Sequence, residues 1–296
     1  MIRYMRRGDY FMGKVAIVTG ATSGIGKAVV ELLLKEKINV VALGRDYEKI
    51  EALQIEFANL TKDVSMDFVI GDLSDNRQVN LAANNLIDFI HRKYDDQFDI
   101  LMNIAGRVTS GYHENEDANE ITFATNHLSI FLLTNRLYPL LKKSDDPRVL
   151  VVSSLSHYRA YFSLRNLQSR KGYNILRAYQ RSKLYNVLFV KEFARRSPHV
   201  KIYAIDPGLV KTNIGNKNTS PLARFVWEIR SRTGTSPYLP AKFMVDVAIK
   251  KEYETESGSY VKQGKIVRSS KISYNKSHQK ALWDYSEKLT QVTYEF

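Results

Sequence analysis

Tyr179 and Lys183 lie four residues apart in RAYQRSKLYNVLF (177–189). On a helix that spacing puts a phenol and an ammonium on one face. A lysine there would lower the pKa of a tyrosine that passes a proton. The spacing alone does not single this pair out, because Tyr-x-x-x-Lys occurs four times, at Tyr10/Lys14, Tyr138/Lys142, Tyr179/Lys183 and Tyr238/Lys242. A second chemical feature is TGATSGIGK, in which Gly20, Gly24 and Gly26 sit with Thr22, Ser23 and Ile25 between an apolar run and a helical pattern. Glycines at that junction permit a tight turn and bring backbone amides and a helix N-terminus against a pyrophosphate, the arrangement that binds a dinucleotide. At the end of the second apolar run, VVALGRD, Gly44 stands where an acid would accept from the ribose hydroxyl of NAD. Arg45 follows and suits the 2′-phosphate of NADP, so NADP(H) is favoured and NAD(H) is the alternative; Asp46 is expected to cap the next helix.

The elements that must position these groups follow from hydrophobic pattern. VAIVTG (15–20), NVVALG (39–44), DFVIGD (67–72), DILMNIAG (99–106), RVLVVSS (148–154) and KIYAID (201–206) read as strands, with a last one near SGSYV (257–261). Helical patterns separate them, at 27–37, 47–60, from a cap at Ser74 to about Tyr94, up to Leu141, from Tyr179 to about Arg195, and around HQKALWDYSEKL near the end. Continuous apolar strands alternating with helices predict a doubly wound parallel sheet of α/β class, covered on both faces. No linker or repeat interrupts the chain, so one domain spans 1–296: an arm (1–13), a core (14–212), a Gly/Asn/Ser-rich segment (213–240), and a closing helix, strand and helix (241–296).

The 296 residues, 44% hydrophobic, suffice for a full core. Without cysteine there is no disulfide framework or thiolate metal site, which fits the cytoplasm. His113, His127 and His157 lack metal-ligand spacing and read as polar or packing residues, so no metal is expected. The net charge of +13 suits an anionic partner, but the basic residues are spread along the chain, which argues against nucleic acid. No apolar run is long enough to span a membrane.

In order, TGATSGIG (19–26), Asp72–Leu73, NIAG (103–106), Asn126, VVSS (151–154), YQRSK (179–183) and DPGLVKT (206–212) resemble the short-chain dehydrogenase/reductase family over nearly the whole chain. LGRD, TNHLSIFLLTNRLYPLL, SKLYNVLF, SGSYV and ALWDYSEKLT are similar to its retinol-dehydrogenase-like branch. In the family the active serine ends the fifth strand. Here Ser154 does so, 25 residues ahead of Tyr179, and the other three Tyr/Lys pairs have no such strand before them. The resemblance implies that Tyr179 exchanges a proton with a carbonyl or alcohol, that Lys183 lowers its pKa, that Ser154 holds the substrate oxygen and that Asn126 keeps a water-linked relay open. Ser153 should point to the opposite side of the strand.

The resemblance further implies that Asp72 and Leu73 meet the adenine end, that Asn103, Ala105 and Gly106 line the cleft, and that Pro207, Gly208, Val210 and Thr212 grip the nicotinamide. Ile104 departs from the usual Asn-Asn-Ala-Gly and removes a polar tether. The 213–240 segment would be a lid whose Leu222, Phe225, Val226 and Ile229 form an apolar face, with Trp227 nearby and Arg224, Arg230 and Arg232 among them. That face suits a lipophilic carbonyl or alcohol, and equally a peripheral contact with a membrane. The alternatives are an NAD-linked alcohol dehydrogenase and a dinucleotide-binding scaffold without turnover. A homodimer through the helices around Leu141 and Tyr179 and a monomer both fit the pattern.

Overall fold

A computed structural model describes residues 13–210 and 235–296. Residues 1–12 of the expected arm, Thr212 and the lid's proposed apolar face lie outside the described residues. Seven parallel strands and one antiparallel edge strand form one sheet in the order β3-β2-β1-β4-β5-β6-β7-β8. They are β1 (Val15–Thr19), β2 (Asn39–Gly44), β3 (Met66–Ile70), β4 (Ile100–Asn103), β5 (Arg148–Val152), β6 (Lys201–Asp206), β7 (Tyr260–Lys262) and β8 (Lys265–Val267). The order reverses between β1 and β4, and crevices at such switch points, outside the carboxyl ends of the strands, are where open α/β sheets bind ligands.

Alternation along the strands builds two apolar layers. Val15 and Ile17 of β1 face one side, covered by α3 (Asn76–Lys93), by α5 (Ser129–Leu141), which follows the one-turn α4 (Ile121–Phe123), and by α6 (Ile175–Arg196). Ala16 and Val18 face the other, covered by α1 (Gly24–Lys35), α2 (Tyr47–Glu56) and α7 (Tyr238–Ile249). Burial on both faces is why the strands read as unbroken apolar runs. Beyond them α8 (Lys276–Thr290) packs along α6. Residues 291–296 continue that layer: Trp283, Tyr294 and Phe296 meet Phe131 of α5 and Phe193 of α6 edge-on or tilted, at ring distances such as 5.0 Å for Phe131–Trp283 and 5.7 Å for Phe193–Phe296.

Three local expectations are corrected. Asp75, not Ser74, caps α3, since its carboxylate accepts from the Gln78 amide at 2.8 Å. Ser74 instead donates to that carboxylate. Helix α6 begins one turn before Tyr179, where Asn174 accepts from the amides of Leu176 and Arg177. Strand β8 was not anticipated: Gln263 and Gly264, both at positive φ (50° and 77°), form the tight turn that folds it back on β7. Asp46 caps α2 as expected, accepting from the Lys49 amide.

Candidate active site

The glycine loop leaves β1 and opens α1. Gly20 and Gly24 both have positive φ, and a Cβ on Gly26 would stand 2.2 Å from the Gly20 carbonyl oxygen. Only bare backbone fits there. Ser23, the residue before α1, makes no side-chain cap, so the first amides of the helix are left for a ligand. Thr19 holds this loop to the turn after β4: its hydroxyl accepts from the amides of Ile104 and Ala105, each at 3.0 Å. Ile104 keeps that backbone bond while its side chain packs into the apolar layer beside α1. The residues present therefore fit a pyrophosphate cradle.

At the adenosine end, Arg45 lies 3.6 Å from Asp72, both on a groove lined with Gly71, Gln78 and Leu81. A Cβ on Gly44 would come within 3.2 Å of both Ile50 and Thr22, so an acidic side chain there would have to displace a neighbour. Arg107, immediately after NIAG, joins this charge cluster. Burial and the Arg45 charge push its guanidinium below the usual value, with Asp72 and Glu120 opposing. Leu73 points away into the core under α3, and the Asn103 amide donates to Thr134 on α5 at 3.3 Å. Leu73 can therefore offer a cofactor its backbone alone.

Around the Tyr/Lys pair, Lys183 is buried and donates to the Val152 carbonyl at 3.1 Å, and its ammonium lies 5.6 Å from the Tyr179 ring. Burial alone lowers its pKa to about 8, which leaves it mostly cationic at pH 7. Lys142 and Lys242, by contrast, are exposed. Tyr179 is half-buried. Asn126 sits in a π-helical turn (Ala124–Leu128) that widens the helix before α5. Its side chain clamps Arg107, accepting from the amide at 2.7 Å and donating to the carbonyl at 2.9 Å, and donates to Ser182 at 3.1 Å. Gly106 gives the Asn126 side chain room, since a Cβ there would stand 3.3 Å from its Oδ1.

Ser153 and Ser154 diverge as strand alternation requires: Ser153 is buried and donates to the Lys183 carbonyl, whereas the half-buried Ser154 hydroxyl donates to Ser156 Oγ at 3.2 Å. That long bond can yield to another oxygen. Beyond β6, Gly208 turns at φ 79° with its amide on Asp206, Pro207 lies beside it, and Val210 bridges to Thr235. Burial pushes the His127 imidazole down to about 3, and its Nε2 lies 2.9 Å from the Ser286 hydroxyl, so it serves packing. Among the described residues no His, Asp or Glu cluster could hold a metal.

The family model for short chain dehydrogenase matches residues 14–223. The chain belongs to the short-chain dehydrogenase family. With membership come an oxidoreductase class acting on alcohols and carbonyls and a nicotinamide dinucleotide cofactor. Among curated relatives, retinol dehydrogenase 11 of Homo sapiens is 32% identical over 276 residues, covering 93% of this chain and 85% of the relative. Retinol dehydrogenase 12 of Bos taurus is 32% identical over 285 residues, covering 96% and 88%. A crystal structure of a putative uncharacterized protein from Mycobacterium paratuberculosis superposes with TM-score 0.75 at 27% identity, over 97% of this chain and 96% of that one.

In this short-chain dehydrogenase the sequence reading missed Thr19 and Arg107. Thr19 was readable as the hydroxyl at the end of β1, and Arg107 as a cation directly after NIAG. Thr19→Val is expected to leave two amides without an acceptor and to cost about 2–4 kcal/mol of stability. Urea unfolding checks this, and a loss under about 0.5 kcal/mol would show that the loop is held by other contacts.

Proposed function

We propose that the protein is an NADP(H)-dependent oxidoreductase that interconverts a lipophilic aldehyde or ketone and its alcohol. The observation that carries this reading is the buried cation Lys183 beneath the half-buried Tyr179, on a helix that packs against the turn opened by Ser154 after β5. The cofactor would be held by the glycine loop, Arg45, Asp72, the 103–106 turn and the 206–208 turn, and it supplies the hydride. Lys183, cationic through neutral pH, favours the Tyr179 phenolate and so lets Tyr179 donate to, or accept from, the substrate oxygen. Ser154 holds that oxygen as charge builds on it. Asn126 keeps the Arg107 backbone and the 104–106 turn in place beside Lys183. Exposed Leu155 and Leu209, next to Ser154 and Gly208, support a lipophilic substrate, as does the retinol named for the relatives. Among the described residues no helix is long and apolar enough to cross a membrane.

The NADP preference rests on Arg45 and on the crowding at Gly44. Arg45→Ala is expected to weaken NADPH binding about tenfold while changing NADH binding less than twofold, a loss that suits one charge-assisted contact to phosphate. Paired fluorescence titrations of the two cofactors check this; equal weakening of both would remove the argument for NADP.

A further inference from the structure

His157 has no part in the reaction as described, yet it is fully buried within three residues of Ser154. Its two ring nitrogens have different partners. Nε2 faces the amide of Ser270 at 3.0 Å and must accept from it, which places the ring proton on Nδ1. Nδ1 then donates to the Ser154 carbonyl at 2.8 Å, the same oxygen that accepts from the His157 amide at 3.1 Å. The imidazole also packs against the rings of Tyr158 and Tyr260, at 4.1 Å and 4.6 Å. Tyr158 donates to the Arg268 carbonyl, so His157 and its neighbour Tyr158 both bind the chain just after β8, at Ser270 and Arg268.

Tyr260 extends this chain of contacts. Its hydroxyl donates to Asp206 Oδ2 at 2.7 Å, and the other oxygen of that buried carboxylate accepts from the Gly208 amide at 2.9 Å. The short β7–β8 hairpin and the residues after it therefore hold, on one side, the backbone of the serine assigned to the substrate oxygen and, on the other, the turn assigned to the nicotinamide. We propose that His157 and Tyr260 are positioning residues that set Ser154 and the 206–208 turn at a fixed separation, and so the approach of the substrate oxygen to the cofactor. The proposal rests on the functional reading above. Hydride transfer is sensitive to such spacing, since a misplacement near 1 Å can cost about a hundredfold.

The test uses the full chain, NADPH carrying deuterium at both transferable positions, and a panel of long-chain aldehydes. His157→Phe keeps the ring packing and removes both hydrogen bonds. It is expected to lower kcat at least about tenfold and to raise the primary isotope effect, with NADPH affinity within about twofold of wild type. His157→Gln, which can place a donor and an acceptor along the same line, should recover most of kcat. Combined with Tyr260→Phe, the His157→Phe loss should be less than the product of the two single losses. Wild-type kcat in His157→Phe, no recovery in His157→Gln, or a loss of kcat with an unchanged isotope effect would each overturn the proposal. Ser154→Ala separates this outcome from failure of the functional reading: if that variant turns over as wild type does, or wild type reduces nothing in the panel, both fall. If Ser154→Ala is inactive while His157→Phe is normal, only the positioning proposal falls.

Discussion

Tyr179→Phe is expected to lower turnover of a carbonyl substrate about a thousandfold while leaving NADPH affinity within about twofold of wild type, in the range a positioned proton donor contributes. The substitution removes one hydroxyl and keeps the ring beside which the Lys183 ammonium lies, 5.6 Å from its centroid. Helix α6 is anchored by its own cap at Asn174 and by the burial of Leu184, Val187 and Leu188, so the backbone has no reason to move. Steady-state kinetics paired with cofactor titration checks both halves. Turnover within about tenfold of wild type would mean that another group supplies the proton, and the reading of this pair would have to be abandoned. In wild type, kcat/KM for carbonyl reduction should fall as pH rises through about 8, where Lys183 gives up its charge.

Arg148→Ala is expected to cost about 2–4 kcal/mol of folding stability without touching the chemistry. Arg148 is fully buried at the start of β5. Its guanidinium donates to the carbonyls of Val247 (2.9 Å) and Lys250 (2.7 Å) and to both oxygens of Asp146 (3.1 and 3.0 Å). Asp146 also takes Lys14 at 3.0 Å and Lys201 at 2.9 Å, so one carboxylate gathers the starts of β1, β5 and β6. Truncating the arginine takes the donor from the Val247 and Lys250 carbonyls and opens a cavity at the start of β5, while Asp146 keeps Lys14 and Lys201. Denaturant unfolding measures the effect, and a loss below about 1 kcal/mol would show that water replaces the guanidinium.

The same carboxylate predicts an acid limb. Burial alone would raise the Asp146 pKa, but hydrogen bonds from Arg148, Lys201 and Lys14 and the Arg148 charge hold it well below the usual carboxylate range. A group depressed in this way stabilises the fold above about pH 4 and loses that contribution as pH falls toward its folded pKa. Asp146→Asn should flatten this limb.

Much of this was legible because the chemistry is local in sequence. The glycine loop, VVSS and DPG each occupy a few consecutive residues at a strand's carboxyl end, and the Tyr179/Lys183 pair spans one turn of α6. A parallel sheet then brings those ends to one side without further information. Strand alternation separated Ser153 from Ser154, and the structure has them diverge as that alternation requires. What could not be read depends on residues far apart in the chain. Arg148 reads as an ordinary polar start to a strand until α7 supplies its acceptors a hundred residues later. His157 reads as a loop histidine until Ser270 approaches its far nitrogen. Strand β8 was missed because Gln-Gly is a weak turn signal beside Asn-Gly, and three residues carry too little pattern to register.

The aromatic rings of 283–296 carry one more consequence. The apolar flanks of α5 and α6, which the sequence offers as a surface for pairing two copies, are already taken by Trp283, Tyr294 and Phe296 of the same chain. Association through those helices would first have to evict several stacked rings, at a free-energy cost comparable to opening part of the core. The end of the chain thus works as an internal cover for these two helices, shielding from water apolar side chains that the sheet does not reach.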